Sequence, residues 1–261
     1  GEGHVMANPT IHFEEALGSA VTDKRIEVLR AVQQVGSISE AARACGLSYK
    51  AAWQAVETLS NLAGVTVIEK AVGGSGGGGA ALTKEGLALL QAADLLTAAR
   101  QRALAKISRK GQPSGLSLAG VSGLGLKTSM RNHLPCTVVG IKRSQGVARV
   151  FLALAGGRVL VARITYESLQ LLGLKTGMRV VALCKATAVV VAPKIVVAGS
   201  VNLFEGRVMR LAGTKEASEA SVQIGPGLQL VGFAEADSGL KRNQPAMAAV
   251  DESAVVIGLL G

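Results

Sequence analysis

The sequence predicts an α+β, multidomain chain. Its N-terminal third is a winged helix-turn-helix with a long helix behind it, and two small, five-stranded, OB-like β-barrels follow. Three observations carry this reading. Apolar residues recur at intervals of three and four up to about residue 110, then give way to short Val-rich runs broken by glycines. Between the two textures, Lys110–Gly125 is rich in Gly, Ser and Pro and reads as a linker. Beyond it the chain repeats itself. Asn132-His-Leu-Pro-Cys-Thr-Val-Val aligns with Asn202-Leu-Phe-Glu-Gly-Arg-Val-Met, and Lys185-Ala-Thr-Ala-Val-Val-Val with Asp251-Glu-Ser-Ala-Val-Val-Ile. The offsets are 70 and 66 residues, a period of about 68, which two copies of a small barrel explain better than one large sandwich. The expected division is 1–110, a linker at 111–125, then 126–195 and 196–261.

Each element has its own signal. Asp23 opens a helix that runs to Val35, with Ile26, Leu29, Val32 and Val35 on one stripe and Gly36 at its end. Ser37 or Ser39 caps a short second helix, in which Ala41, Ala42 and Ala44 are small enough for another helix to cross closely. Gly46 permits a left-handed turn, Leu47 plugs the core, and Ser48 caps a third helix from Tyr49 to about Leu62. Trp53, Val56 and Leu59 are expected to face inward, and Tyr49, Lys50, Gln54 and Glu57 outward. In a helix-turn-helix the first turn of this helix enters the major groove. The candidate DNA contacts are therefore Ser37, Ser48, Tyr49, Lys50 and Gln54.

Val65–Lys70 and Ala80–Thr83 read as two short strands of a wing whose tip is Gly73–Gly79. An inert flexible loop is the alternative for that tip. No Lys-Ser or Lys-Thr follows these glycines, so they do not form a phosphate-cradling P-loop. Lys84–Lys110 reads as one long helix. Its apolar stripe of Leu89, Ala93, Leu96, Ala103 and Ile107 is either core or a surface that pairs two subunits. Strands are expected at Cys136–Ile141, Ala148–Leu154, Val159–Ile164, Arg179–Cys184 and Ala188–Val191.

Composition narrows the function. Of 261 residues, 49% are hydrophobic and only 3% aromatic, so the cores are built from Val, Leu, Ile and Ala. A net charge of +10 favours a polyanionic partner. Cys45, Cys136 and Cys184 lie far apart with no CxxC pair, which argues against a zinc site or a disulfide framework and fits a reducing cytoplasm. His4, His12 and His133 have no ligand spacing, so no metal site is expected. No Ser-His-Asp set or carboxylate pair stands out, so no enzymatic role is expected. No apolar run is long enough to cross a bilayer, and Gly1–Pro9 lacks the pattern of a signal peptide.

Gly36-Ser-Ile-Ser-Glu-Ala-Ala, Leu47-Ser-Tyr-Lys-Ala-Ala-Trp and Gly73-Gly-Ser-Gly-Gly-Gly-Gly-Ala-Ala-Leu-Thr resemble the winged helix of the ModE family of molybdate-dependent regulators. Thr128-Ser-Met-Arg-Asn132 resembles the opening of that family's first molybdate-binding barrel, the Mop domain. The related Mop regulators share the layout. The resemblance implies a cytoplasmic homodimer that binds double-stranded operator DNA more tightly when loaded with molybdate. It implies repression of molybdate-uptake genes, activation of genes for molybdoenzymes or cofactor synthesis, and substitution of molybdate by tungstate.

The resemblance also implies seven molybdate contacts: Ser129, Met130, Arg131, Thr165, Ser168, Lys185 and Ala186. Each pocket would span two subunits, with Ser129–Arg131 and Lys185–Ala186 from one and Thr165 and Ser168 from the other. These residue types suit a tetrahedral dianion, which needs donors from several directions and compensating positive charge. Hydroxyls come from Ser129, Thr165 and Ser168, backbone N–H groups from Met130 and Ala186, and charge from Arg131 and Lys185. In the second copy Asp251 stands where Lys185 stands in the first, so this pocket is expected from the first copy. Residue chemistry alone does not separate molybdate from sulfate. Two other readings stay open: a molybdate storage or buffering protein whose N-terminal domain only dimerises, and a regulator of the same fold that senses another ligand.

Overall fold

The computed structural model describes residues 23–72, 78–110, 127–213 and 217–259. Helix α1 spans Lys24–Val35. Asp23 caps its start by accepting from the Arg25 N–H, and Gly36 ends it in the left-handed region at φ 74°. Ser37 caps α2, Ile38–Ala44, and Ser48 caps α3, Tyr49–Ala63. Gly46, at φ 67°, makes the turn between them. Leu47 is buried as expected, whereas Cys45 and not Ala44 fills the position beside it.

One expectation is overturned in α3. Trp53 is 41% exposed, and the buried face is Ala51, Ala52, Ala55, Val56 and Leu59. The reason is rotational. A step of three residues falls 60° short of a full turn, so Trp53 lies about 120° round the helix from Leu59. The alanines take the core face because α1 and α2 both cross α3 there and leave no room for an indole.

The wing strands are shorter than expected: β1, Ile68–Lys70, pairs antiparallel with β2, Ala80–Leu82. The Ala80 N–H donates to the Gly36 carbonyl at 2.8 Å, fastening the wing to the end of α1. Residues 73–77 of the expected wing tip, and the linker beyond Lys110, lie outside the described residues. Helix α4, Lys84–Lys110, has the expected bounds. Its first turns are core, with Leu90 buried and Leu89 packed on the same cluster. Leu95 and Leu96 are each 72% exposed, so the stripe is uncovered further along.

The second half is built from β3 (Asn132–Ser144), β4 (Val147–Leu154), β5 (Val159–Thr165), a short helix α5 (Tyr166–Leu172), β6 (Arg179–Cys184) and β7 (Val190–Ala192). The second copy follows as β8 (Val201–Gly213), β9 (Ala217–Gly225), β10 (Leu228–Glu235), β11 (Pro245–Asp251) and β12 (Val256–Gly258). Each copy gives its last strand away. Strand order is β12-β6-β3-β4-β5 in one sheet and β10-β7-β11-β8-β9 in the closed barrel, so β7 completes the second copy and β12 the first. A single apolar core runs through both copies. Helix α5 was not expected from the sequence; Thr165 caps it and Gly173 ends it.

Two buried asparagines fasten the halves. Asn132 donates to the Val231 carbonyl at 2.9 Å and accepts the Val231 N–H at 2.7 Å. Asn202 makes the same pair of bonds with Val161, both at 2.8 Å. The offset of 70 residues therefore holds for both sides of each contact. The three cysteines are unpaired and buried, and burial pushes the Cys136 thiol up to about 12 and Cys184 to about 11. Asn132→Ala would orphan a buried N–H and a carbonyl together, so a loss of roughly 2–4 kcal/mol is expected. Urea unfolding of Asn132→Ala and Asn202→Ala checks this; a loss well under 1 kcal/mol in both would contradict the role given to these bonds.

Candidate DNA-reading face and anion corner

Side-chain caps set the geometry of the DNA face. The Ser37 hydroxyl accepts the Glu40 N–H at 3.1 Å, and the Ser48 hydroxyl accepts the Ala51 N–H at 3.1 Å. Tyr49, 55% exposed, meets Trp53 edge-on at 6.2 Å. Both line a groove of about 1860 Å³ between α3 and the wing, along with Ser37, Arg43 and Lys70. Of the five DNA candidates, Ser37 and Tyr49 line this groove, while Ser48, Lys50 and Gln54 do not. Lys50 instead reaches the first barrel, with its ammonium 3.2 Å from the Glu167 carboxylate. Trp53 is a groove residue that the sequence reading placed in the core. The missed signal was the alanine run at 51, 52 and 55.

The anion candidates fall into two groups. Strands β3 and β6 run antiparallel with Asn132 opposite Cys184. Ser129-Met130-Arg131, just before β3, therefore meets Lys185-Ala186, just after β6. Ala186 begins a tight turn, with its residue buried and the Lys185 side chain in solvent. The Met130 N–H is bonded to the Thr128 hydroxyl at 2.8 Å. The Arg131 guanidinium pairs with Glu219 of β9 at 2.5 Å. That carboxylate oxygen is buried and has no oriented hydrogen bond, so the contact is one of charge.

Thr165 and Ser168 lie elsewhere. The Thr165 hydroxyl donates to the Ser168 hydroxyl at 2.9 Å and accepts the Ser168 N–H at 3.1 Å, forming the cap of α5. Thr165 is opposite Val147, which is opposite Ser144 at the far end of the 13-residue β3. At about 3.3 Å per residue that is on the order of 40 Å along the strand from Arg131. The chain thus brings five of the seven candidates to one corner and keeps Thr165 and Ser168 at the opposite end of the same sheet.

The equivalent corner of the second copy carries Asp251 and Glu252. Glu252 is buried and accepts two hydrogen bonds from Arg149, at 3.0 and 2.7 Å. Asp251 accepts from the Ser253 hydroxyl and N–H, at 2.6 and 2.8 Å, and these bonds hold its carboxyl below its ordinary value. The second corner therefore carries the chain's own carboxylates. Among the described residues no group of His, Cys, Asp or Glu could hold a metal ion, and no helix is long and apolar enough to cross a membrane.

Residues 24–87 match the family of bacterial regulatory helix-turn-helix proteins of lysR type, and residues 128–191 match the TOBE domain. The transcriptional regulator ModE of Yersinia pestis is 35% identical over 209 residues, 79% of this chain and 80% of that protein. The DNA-binding transcriptional dual regulator ModE of Escherichia coli K12 is 33% identical over 243 residues, 91% of this chain and 92% of that one. The chain belongs to the ModE family. The likeness read from the winged-helix motifs and from Thr128–Asn132 is thereby borne out. Membership makes the chain a transcription regulator and not an enzyme. The molybdenum-pterin-binding protein MopA of Rhodobacter capsulatus is 39% identical over 182 residues, 70% of this chain and 69% of that protein. Among solved structures, the cytoplasmic molybdate-binding protein ModG with molybdate bound matches at a TM-score of 0.49 and 28% identity, covering 51% of this ModE-family chain and 99% of that chain.

Trp53 is the one tryptophan of this ModE-family chain and stands in the groove. Its fluorescence should shift to shorter wavelength and quench when duplex DNA fills the groove. An emission spectrum unchanged at saturating DNA would place the bound duplex elsewhere.

Proposed function

We propose that the chain is a homodimeric regulator that reads operator DNA with α3 and the wing, and does so more tightly when molybdate fills the first-copy corner. In this reading it represses molybdate-uptake genes, activates genes for molybdoenzymes or cofactor synthesis, and accepts tungstate in place of molybdate. The observation that carries the proposal is the division of the seven anion candidates. Arg131, Lys185 and the Ala186 N–H share one corner, while the Thr165 and Ser168 hydroxyls sit at the other end of β3. A pocket using both groups needs a second chain, and a pocket shared by two chains couples anion occupancy to their arrangement. The exposed leucines of α4 support the same dimer, since an apolar face on a long helix is a natural pairing surface.

Charge supports the choice of corner. Arg131 and Lys185 face one acid, Glu219, so the first corner has a positive charge to spare. On the DNA side, Lys70 and Arg43 supply phosphate contacts, and the exposed rings of Tyr49 and Trp53 suit apolar contact with thymine methyl groups. The relatives named as ModE regulators agree with this reading.

Calorimetry with molybdate, tungstate and sulfate, followed by footprinting with and without molybdate, tests the proposal. Molybdate uptake with no change in DNA affinity would refute the switch; uptake with no DNA retarded at all would favour storage. Lys185→Ala should weaken molybdate binding roughly tenfold or more, the loss of a charged hydrogen bond, with anion-free DNA binding retained. Lys50→Ala should weaken DNA binding by the molybdate-loaded protein, with molybdate binding retained. Glu219→Gln removes the carboxylate that competes for Arg131, so molybdate should bind about 3- to 5-fold more tightly. Weaker binding in that variant would show that Glu219 orients Arg131 rather than competing for it.

A further inference from the structure

Helix α5 of the first barrel lies against the start of the DNA-reading helix. The Ser48 N–H donates to the Gln170 side-chain carbonyl at 3.2 Å. The Lys50 ammonium is 3.2 Å from Glu167, whose side chain is 18% exposed against 71% for that of Lys50. Leu171 packs on the apolar core of the winged helix. The Glu167 carboxyl is held below its ordinary value by its own backbone N–H and by Lys50. Three different interactions thus hold α5 against the winged helix: a hydrogen bond and an ion pair to the start of α3, and an apolar contact with the core beneath it.

The groups taken up by α5 are those a helix start offers to DNA. A backbone N–H at the cap and a basic side chain in the first turn are standard phosphate ligands, and both are spent on α5 here. We infer that Glu167 and Gln170 are positioning residues that clamp the DNA-reading helix to the first barrel, and that full engagement of DNA requires their release. The clamp itself stands on these contacts alone. Its trigger rests on the molybdate reading above: α5 begins with the Thr165–Ser168 hydroxyl bond, and those two hydroxyls are the ones that reading turns toward the anion. Giving up that bond loosens the first turn of α5, which carries Glu167.

The test uses the full-length chain with no anion added. Amide exchange at Ser48 reads the clamp directly. Wild type should protect this amide, and Gln170→Ala should speed its exchange about tenfold. Binding to a mixed-sequence duplex of about three helical turns reads its consequence. Glu167→Gln should bind about 3- to 5-fold more tightly, the scale of one exposed ion pair. Its log affinity should also fall about 0.9 more steeply with log salt, because Lys50 then gains a phosphate contact without breaking a pair. Glu167→Asp should restore the wild-type slope, which a merely structural role would not predict. A freely exchanging Ser48 amide in wild type overturns the inference, as does unchanged or weaker DNA binding in Glu167→Gln. Should Glu167→Gln fail to fold, Gln170→Ala in the same DNA assay decides, with tighter binding expected. Molybdate calorimetry on the same proteins separates the two readings. A clamp effect without molybdate uptake leaves the clamp standing and removes its trigger; uptake without a clamp effect removes the clamp and leaves the molybdate reading standing.

Discussion

The β half depends on two amide side chains buried where each copy meets the other. An asparagine in an apolar core costs free energy unless its donors and acceptors are met. Asn132 and Asn202 meet theirs on the backbone of the opposite copy, at Val231 and Val161. An apolar residue at either position would bury its bulk in many rotations of one barrel against the other. The amide accepts one. With that angle set, β7 and β12 reach across to complete the opposite copies, and the shared core closes around them. The corners at the ends of β6 and β11 are then fixed to within the tolerance of a hydrogen bond.

On that symmetric frame the charges are reversed. Arg149 and Glu219 occupy equivalent positions, 70 residues apart, each facing the corner of the opposite copy. Arg149 meets the buried Glu252, whereas Glu219 meets Arg131. Lys185 and Asp251 differ in the same sense. One corner is satisfied internally by a two-point guanidinium–carboxylate contact, the stronger geometry. The other has a single unoriented charge contact and a lysine in solvent. A duplicated unit has thus kept its backbone and divided its roles by changing a few signs.

Much of the fold was legible because it is written in local chemistry. Caps at Asp23, Ser37 and Ser48, stops at Gly36 and Gly46, and the start of α4 at Thr83 follow from capping and left-handed turns. The repeat was legible from Asn132 and Asn202, although their partners were not. What escaped is non-local or too short to show a period. Helix α5 has seven residues, fewer than three turns, and reads equally well as a loop. The strand exchange leaves no local trace, since β7 is equally apolar in either sheet. Trp53 was misplaced by counting in threes on a helix of 3.6. Of the candidate anion residues, the five around β3 and β6 came as a set from the family resemblance. So did the assignment of Thr165 and Ser168 to another subunit's side, because their distance along β3 depends on strand order, which spacing does not give.

The exchange of β12 has a consequence for synthesis. Val256–Gly258 pairs with β6, so the sheet that carries Arg131 and Lys185 lacks a strand until a segment some seventy residues downstream has left the ribosome. At roughly 5–20 residues per second the interval is several seconds. During it β6, buried along nearly its whole length in the finished fold, presents a bare Val-rich edge open to pairing with a neighbouring nascent chain. The half-made protein is thus most exposed to misassembly at the very strand that leads into Lys185 and Ala186.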